Sequence, residues 1–265
     1  MDPVLLVPIS FCIGIIVGLT GIGGASLITP MLIFLFQVPP SVAVSSDVVA
    51  ATLMKIVGGI KHWRQQTLDL QVVKWLALGS VPGSLGGVAL LHQFRGIEGL
   101  DTEAVLLRFI GMAILMVTIV SLIQLMLLTF APEFQLPDLP KIDLSTEYGK
   151  AFSVLIGALL GCIVGLTSVS SGAMFALVLV MFFRLDARKL VGTDLAQAAI
   201  LLTFTSLGHL SLGTVQWGIV IPIWIGSVPG ALLGAKLCQL APQKPLRFAV
   251  YLLLVAVSWK LAYAA

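Results

Sequence analysis

Two carboxyl groups lie deep inside apolar segments at matching positions. Asp47 ends the triplet Ser-Ser-Asp, and Asp194 ends Gly-Thr-Asp 147 residues further along the chain. If their helices begin at Ser41 and Asp186, each carboxyl group lies about 9–12 Å inside its helix, at about 1.5 Å per residue. Burial favours the protonated form of a carboxyl group, so we predict that both aspartates couple function to protons. The alternative is that each caps a helix that begins at the residue before it.

The second chemical feature is a repeated break in the apolar sequence. Residues 17–26 read VGLTGIGGAS, and residues 164–173 read VGLTSVSSGA. A helix that begins after such a break presents unpaired N–H groups and a partial positive charge, which together favour an anion. The predicted anion-binding groups are Thr20, Gly23, Gly24, Ala25 and Ser26 in the first half, and Ser168, Ser170, Ser171 and Gly172 in the second. The alternative is that these small residues only allow close helix packing.

Three further ionisable residues lie in or near these apolar segments. Lys55 follows Asp47 by eight residues and is close to the same helical face. It is predicted to pair with Asp47 or to add positive charge beside an anion, or else to extend its amine to the membrane surface. His62 and His209 fall at segment ends, where interfacial anchoring is favoured over proton relay.

The pentapeptide Gly-Ser-Val-Pro-Gly occurs twice, at residues 79–83 and 226–230. Its prolines, Pro82 and Pro229, each remove a backbone donor within an apolar segment, so a kink is expected at both. We predict that the kinks line a cavity, with Ser80 and Ser227 as polar wall residues.

The elements that must position these groups are membrane helices. Of the 265 residues, 58% are hydrophobic and 10% are charged, and the mean hydropathy is +1.09. Soluble domains carry about 25% charged residues. The apolar runs are long and do not alternate with period two, which favours helices over a membrane barrel. The fold class is therefore predicted to be an all-α integral membrane protein.

Turn residues divide the chain into ten apolar segments. They are predicted at 4–19, 25–38, 42–60, 72–91, 104–129, 151–166, 172–183, 190–208, 217–238 and 247–263. A full crossing needs about 20 residues, so the second and seventh segments are predicted to be broken or re-entrant. The first segment is expected to be a retained helix, because no basic residue precedes it.

The basic residues predict how the chain is oriented in the membrane. If each segment crosses once, eleven Lys and Arg residues fall on one side and three on the other. The positive-inside rule makes the first side cytoplasmic, so both termini lie outside and the polar linker lies in the cytoplasm. The predicted location is the plasma (inner) membrane.

The two halves match over several motifs at an offset of 147. We divide the chain into an N-terminal repeat (1–130), a linker (131–150) and a C-terminal repeat (151–265). Five segments per half is an odd number, so the second repeat must be inverted, as in many secondary transporters. Eight glycines at small-xxx-small spacing are predicted to pack helices: Gly14, Gly18, Gly83, Gly87, Gly161, Gly165, Gly230 and Gly234.

Other classes of protein fit the sequence less well. Two membrane aspartates could serve an intramembrane aspartyl protease, but Val-Gly-Thr-Asp replaces the Gly-x-Gly-Asp motif at Asp194. A channel with the same fold stays open as an alternative. No motif suggests another enzyme, a metal site or a cofactor, and the scattered basic residues do not predict nucleic-acid binding. Whether the protein is a monomer or a homodimer is left open.

The paired motifs resemble the TauE/SafE family of sulfite exporters. GIGGASLITPMLIF followed by PPSVAVSSD carries the resemblance in the first half, and SVSSGAMFALVLV followed by RKLVGTD carries it in the second. The resemblance covers nearly the whole chain. It implies a transporter of sulfur-containing anions, such as sulfite or organosulfonates, coupled to protons. The sequence departs from the family pattern at Ser-Val-Ser-Ser, where the family has a glycine cluster, and at Leu177, the counterpart of Pro30.

Overall fold

The computed structural model describes residues 3–20, 24–95, 101–130, 141–169, 173–183, 185–237 and 243–263. These residues form helices joined by turns, and no β-strand occurs among them. The helices are α1 (Pro3–Thr20), α2 (Ala25–Phe36), α3 (Pro40–Arg64), α4 (Leu70–Arg95), α5 (Thr102–Phe130), α6 (Glu147–Thr167), α7 (Ala173–Val178), α8 (Ala187–Ser211), α9 (Trp217–Leu237) and α10 (Gln243–Tyr263). A π-helical turn, Leu179–Phe183, continues α7. All ten predicted segments are present, although α6 begins at Glu147, within the predicted linker.

The helix lengths confirm an integral membrane protein. Among the described residues, seven helices are long and apolar enough to cross a bilayer: α3, α4, α5, α6, α8, α9 and α10. The other apolar stretches are shorter, at Leu5–Thr20, Ala25–Phe36 and Met174–Phe183. Two of the short stretches flank the first Gly/Ser break, and the third follows the second break, which the long helix α6 precedes. Helices α1 and α6 therefore end, and α2 and α7 begin, beside the repeated motif, as the sequence predicted.

Glycines hold the two halves of the chain in close contact. A Cβ at Gly14 in α1 would overlap the backbone of Ser227 in α9, and a Cβ at Gly161 in α6 would overlap the backbone of Ser80 in α4. The same is true of all eight glycines that the sequence predicted to pack helices. This prediction is confirmed: α1 packs along α9 and α4 packs along α6 at distances that no side chain would allow.

Helices α3 and α8 pack against each other in opposite directions. Ser45, near the start of α3, contacts His209, near the end of α8. Gly59, near the end of α3, lies against Ala196 in the first half of α8. Both helices have 25 residues, and their first residues are 147 apart. Counterpart helices therefore lie antiparallel at the centre of the molecule.

Matching hydrogen bonds join the two halves at the ends of these helices. The backbone N–H of Asp69, just before α4, donates to Thr193 Oγ1 at 3.0 Å. The backbone N–H of Gln216, just before α9, donates to Ser46 Oγ at 3.1 Å. Each donor and each acceptor has its counterpart 147 residues away. The same contact therefore occurs twice: once with the donor in the first half and the acceptor in the second, and once the other way round.

The start of α3 is held by a residue that sequence reasoning did not identify. Glu103, in the first turn of α5, accepts hydrogen bonds from the backbone N–H of Ser41 at 2.9 Å and from its hydroxyl at 2.5 Å. The carboxylate pairs with N-terminal donors that have no partner within the helix. This contact helps to fix the position of α3, which carries Asp47.

Candidate functional site

The carboxyl group of Asp47 joins three elements of the fold. It is fully buried, and its Oδ2 accepts hydrogen bonds from Thr29 Oγ1 at 2.6 Å and from Ser168 Oγ at 3.0 Å. Thr29 belongs to α2, and Ser168 directly follows the last residue of α6. Oδ1 has no hydrogen-bond partner in the described part of the chain. Asp47 therefore connects its own half to the Gly/Ser break of the other half.

The counterpart carboxyl group, that of Asp194, has a different partner. Lys55 Nζ on α3 lies 3.6 Å from Asp194 Oδ2 on α8, and both side chains are largely buried. Asp194 Oδ1 is buried without a hydrogen-bond partner among the described residues. Hydroxyl donors thus stabilise one carboxylate, and an ammonium group stabilises the other. The asymmetry follows from the sequence, because the counterpart of Lys55 is Leu202 and the counterpart of Thr29 is Ala176.

Both aspartates lie well inside their helices. Asp47 follows Pro40, the first residue of α3, by seven positions, and Asp194 follows Ala187, the first residue of α8, by seven positions. The alternative that they cap helix starts is therefore wrong. Lys55 pairs with Asp194 in place of the predicted Asp47, because α3 and α8 pack antiparallel and bring the later part of α3 against the early part of α8.

Several of the described residues beside the two breaks also make local contacts. Thr20 Oγ1 donates to the carbonyl of Ile16 at 2.7 Å, and Thr167 Oγ1 donates to that of Ile163 at 2.7 Å. Gly24 precedes α2, and its carbonyl accepts from the N–H groups of residues 27 and 28. Ala25 and Ser26 are buried at the start of α2. Gly23, Ser170, Ser171 and Gly172 lie outside the described residues, so the anion site between the breaks stays a prediction.

A family match can be set beside this geometry. The model of the family described as "Sulfite exporter TauE/SafE" matches residues 6–261, nearly the whole chain. The chain belongs to this family. Two relatives from Bacillus subtilis (strain 168) are "Probable membrane transporter protein YjnA", 35% identical over 94% of this chain and 95% of the relative, and "Probable membrane transporter protein YdhB", 25% identical over 94% and 95%. No solved structure matches the chain.

In this TauE/SafE chain, we call the largely buried polar side chains that α3 and α8 carry, among them Asp47, Lys55 and Asp194, the polar centre. It includes a residue that sequence reasoning missed. Gln197 Nε2 donates to Ser80 Oγ at 2.8 Å, and Gln197 Oε1 is buried with no partner in the described ranges. The available signal was a carboxamide in an apolar helix, three residues after Asp194 and so on the same face. Ser80 thus lies at the polar centre, whereas Ser227 makes only a weak contact, at 3.7 Å, with Met54 Sδ.

The two prolines do not line this polar centre. Pro82 and Pro229 lie inside α4 and α9, as predicted, but both are on exposed faces of their helices. Gly83 and Gly230, one residue further along, are the positions at which these helices meet α6 and α1. Because α4 and α9 turn their small residues inward for packing, the prolines face away. The prediction that the prolines line a cavity is therefore wrong.

His209 is also placed differently from its prediction. It is fully buried, with Nδ1 3.1 Å from Ser45 Oγ on α3 and Nε2 3.1 Å from the carbonyl oxygen of Gly165 on α6. A carbonyl only accepts, so Nε2 must donate there. The expected interfacial anchoring is wrong for His209, which links three helices of the TauE/SafE fold. His62 instead makes a local contact with Thr67 Oγ1 at 2.8 Å.

The hydroxyl of Thr29 can be tested as a support of the buried carboxylate. We expect Thr29→Val to lower the free energy of unfolding by about 1–3 kcal/mol, the usual cost of leaving a buried polar group without its partner. Thr205→Val is the matched control, because Thr205 is also fully buried and its Oγ1 donates to the carbonyl of Leu201 in its own helix. Thermal unfolding in detergent measures both. Equal losses in the two variants would show that Asp47 does not depend on Thr29.

Proposed function

We propose that this chain is a secondary transporter of a small sulfur-containing anion, such as sulfite or an organosulfonate, coupled to protons. The family description supports the substrate class, and the names of the relatives support transport. The observation that carries proton coupling is the pair of buried carboxyl groups at equivalent positions. Asp47 and Asp194 each keep one oxygen without a hydrogen-bond partner among the described residues, where a proton can bind.

The contacts of Asp47 suggest how a proton and an anion are coupled. Ser168 has one hydroxyl proton, which it donates to the carboxylate of Asp47. A proton on Asp47 neutralises that carboxylate and weakens it as an acceptor. The Ser168 hydroxyl then becomes available to an anion at the break between α6 and α7. Proton binding on α3 thereby favours anion binding at the other half.

Asp194 gives the same linkage through charge. A proton on Asp194 removes the negative partner of Lys55, whose ammonium group lies 3.6 Å away. The net charge of the pair becomes positive, which stabilises an anion in the low-dielectric interior. Both aspartates therefore make anion entry more favourable when they are protonated, as symport of an anion with protons requires.

Alternating access follows from the relation between the halves. Helix α3 packs antiparallel to its counterpart α8. Helix α1 packs on α9, and α6 and α4, their counterparts in the other half, pack on each other in the same way. These contacts are those expected of inverted repeats. We propose that residues 1–130 and 151–265 are such repeats and that they rock against each other. The excess of basic residues on one side supports outward-facing termini and a cytoplasmic linker at the inner membrane.

Transport by purified protein in liposomes tests this function. We expect an inwardly directed proton gradient to drive sulfite or methanesulfonate uphill into wild-type liposomes. Asp47→Asn and Asp194→Asn should lose most of the pH-driven component. Asparagine keeps an oxygen that can accept a hydrogen bond, so both variants should stay monodisperse. Asp69→Asn is the control, because Asp69 caps α4 from outside the polar centre and asparagine caps equally well.

The outcomes separate the alternatives. Normal pH-responsive uptake by both variants at the polar centre would remove the proposed coupling. Anion flux that only runs downhill, whatever the pH gradient, would identify a channel of the same fold. Absence of any flux of sulfur-containing anions by the wild-type protein would refute the proposed substrate class.

A further inference from the structure

A cavity of about 240 Å³ lies beside the break between α1 and α2. Thr20 and Ser26 form the part of its wall nearest the break, and α5 and α10 add five polar side chains. These are Thr118, Ser121, Gln124, Arg247 and Tyr251. No carboxylate lines the cavity among the described residues. The fixed charge on its wall is therefore that of the Arg247 guanidinium.

The packing of α5 against α10 arranges these side chains along one groove. Gly111 of α5 lies against Leu261 and Ala262, near the end of α10. The cavity is lined by α5 residues that follow Gly111 and by α10 residues that precede Leu261, so the two helices run antiparallel here. In that register Gln124 falls opposite Arg247. The carboxamide and the guanidinium thus occupy the same end of the cavity, near the start of α10.

The other wall of the cavity is aliphatic. Helix α7, its π-helical continuation and α8 contribute Ala176, Leu177, Val180 and Leu190. The volume equals that of about eight water molecules, at about 30 Å³ each in the liquid. A four-atom anion such as sulfite fills only part of this space and leaves the aliphatic wall in contact with water. An anion with a short carbon chain fills it better.

We propose that this cavity is an anion-binding site in which Arg247 binds the head group of a short-chain organosulfonate and the α7–α8 wall binds its carbon chain. The proposal rests on the proposed function and adds a second place of anion binding, beside the break between α1 and α2, with the residues that select chain length. Arg247 supplies the charge and a planar set of donors. Gln124, Ser121 and Tyr251 supply neutral hydrogen bonds, and Leu177 and Val180 exclude water from the chain.

The matched control for Arg247 is its counterpart in the other half. Arg108 and Arg247 begin the paired dipeptides Arg-Phe, 139 residues apart because the first half carries an insertion of about eight residues before this point. Arg108 does not line this cavity. Binding is measured on the purified full chain by calorimetry, with sulfite, methanesulfonate, ethanesulfonate, 1-propanesulfonate and propionate as ligands. The wild-type protein should bind each longer sulfonate about fourfold more tightly, the effect of one buried methylene. Propionate should bind more weakly than ethanesulfonate.

The variants test the two walls separately. Arg247→Gln should weaken all sulfonates at least about tenfold, the lower limit for a hydrogen bond to a charged group, whereas Arg247→Lys should weaken them less. Arg108→Gln should leave every affinity unchanged. Leu177→Ala should reduce the gain per methylene but leave methanesulfonate binding intact. Leu159→Ala, at an exposed site on α6, should change neither.

Failure of the site is distinguishable from failure of the function. If Arg247→Gln binds and transports sulfonates like the wild type, the site is wrong and the transporter proposal stands. If chain length has no effect, or propionate binds as tightly as ethanesulfonate, the assigned ligand is wrong. If the wild-type protein binds none of these anions, both proposals fail.

Discussion

Replacing Gly83 with alanine should lower the free energy of unfolding by about 3 kcal/mol or more, the upper part of the range for overpacking. A Cβ at Gly83 would overlap the backbone carbonyl of Ala158, and backbone cannot move aside as a flexible side chain can. Relief of the overlap requires α4 and α6 to separate along their whole contact. That contact joins the two halves of the molecule, so its loss should affect the entire fold.

A glycine three residues further along α4 provides the control. Apart from the adjoining backbone of α4, no atom of the described residues lies within 4 Å of the position that a Cβ at Gly86 would occupy. Gly86→Ala should therefore be neutral or stabilise the protein by up to about 1 kcal/mol through helix propensity. Gly230→Ala, at the counterpart of Gly83 in α9, should match Gly83→Ala, because a Cβ there would overlap the carbonyl of Phe11. Thermal unfolding and size-exclusion profiles in detergent measure all three. Equal behaviour of Gly83→Ala and Gly86→Ala would show that the close contact of α4 with α6 is not required.

Breaking the Lys55–Asp194 pair from one side should cost about 3–5 kcal/mol, because the remaining charge is left largely buried. We therefore expect Lys55→Leu and Asp194→Leu to be strongly destabilised. The double variant should recover most of the loss, since it buries no charge. Leucine is a natural replacement for Lys55, because the counterpart residue is Leu202.

An exposed pair in the same molecule serves as the control. Lys150 and Glu147 are closer, at 2.6 Å, but the Glu147 side chain is 88% exposed and the Lys150 side chain 26%, so water reaches this pair. Exposed pairs contribute about 0–1 kcal/mol, so Lys150→Met and Glu147→Gln should each have little effect. Unfolding of the four single variants and both double variants, measured in the same detergent, yields the two coupling energies. A coupling at Lys55–Asp194 no larger than that of the exposed pair would contradict the role of burial.

Several features of the fold could be predicted from the sequence, because they depend on residues that are close together in the chain. The apolar runs and their turn residues predicted all ten helical segments, and the offset of 147 predicted which helices correspond. Close packing at the eight glycines was also predictable, because small residues at four-residue spacing form one flat face. The two aspartates could be recognised as internal to their helices because hydropathy placed them there.

Only the tertiary structure decided which side chains contact each other. The sequence allowed Lys55 to pair with Asp47, but the antiparallel contact of α3 with α8 brings it to Asp194. Thr29 and Ser168 meet at Asp47 although 139 residues separate them, and burial of His209 likewise depends on helices far apart in the chain. Composition and periodicity determine that a segment is a membrane helix. They do not determine the rotation of that helix or which neighbour it meets, since these depend on packing of the whole molecule.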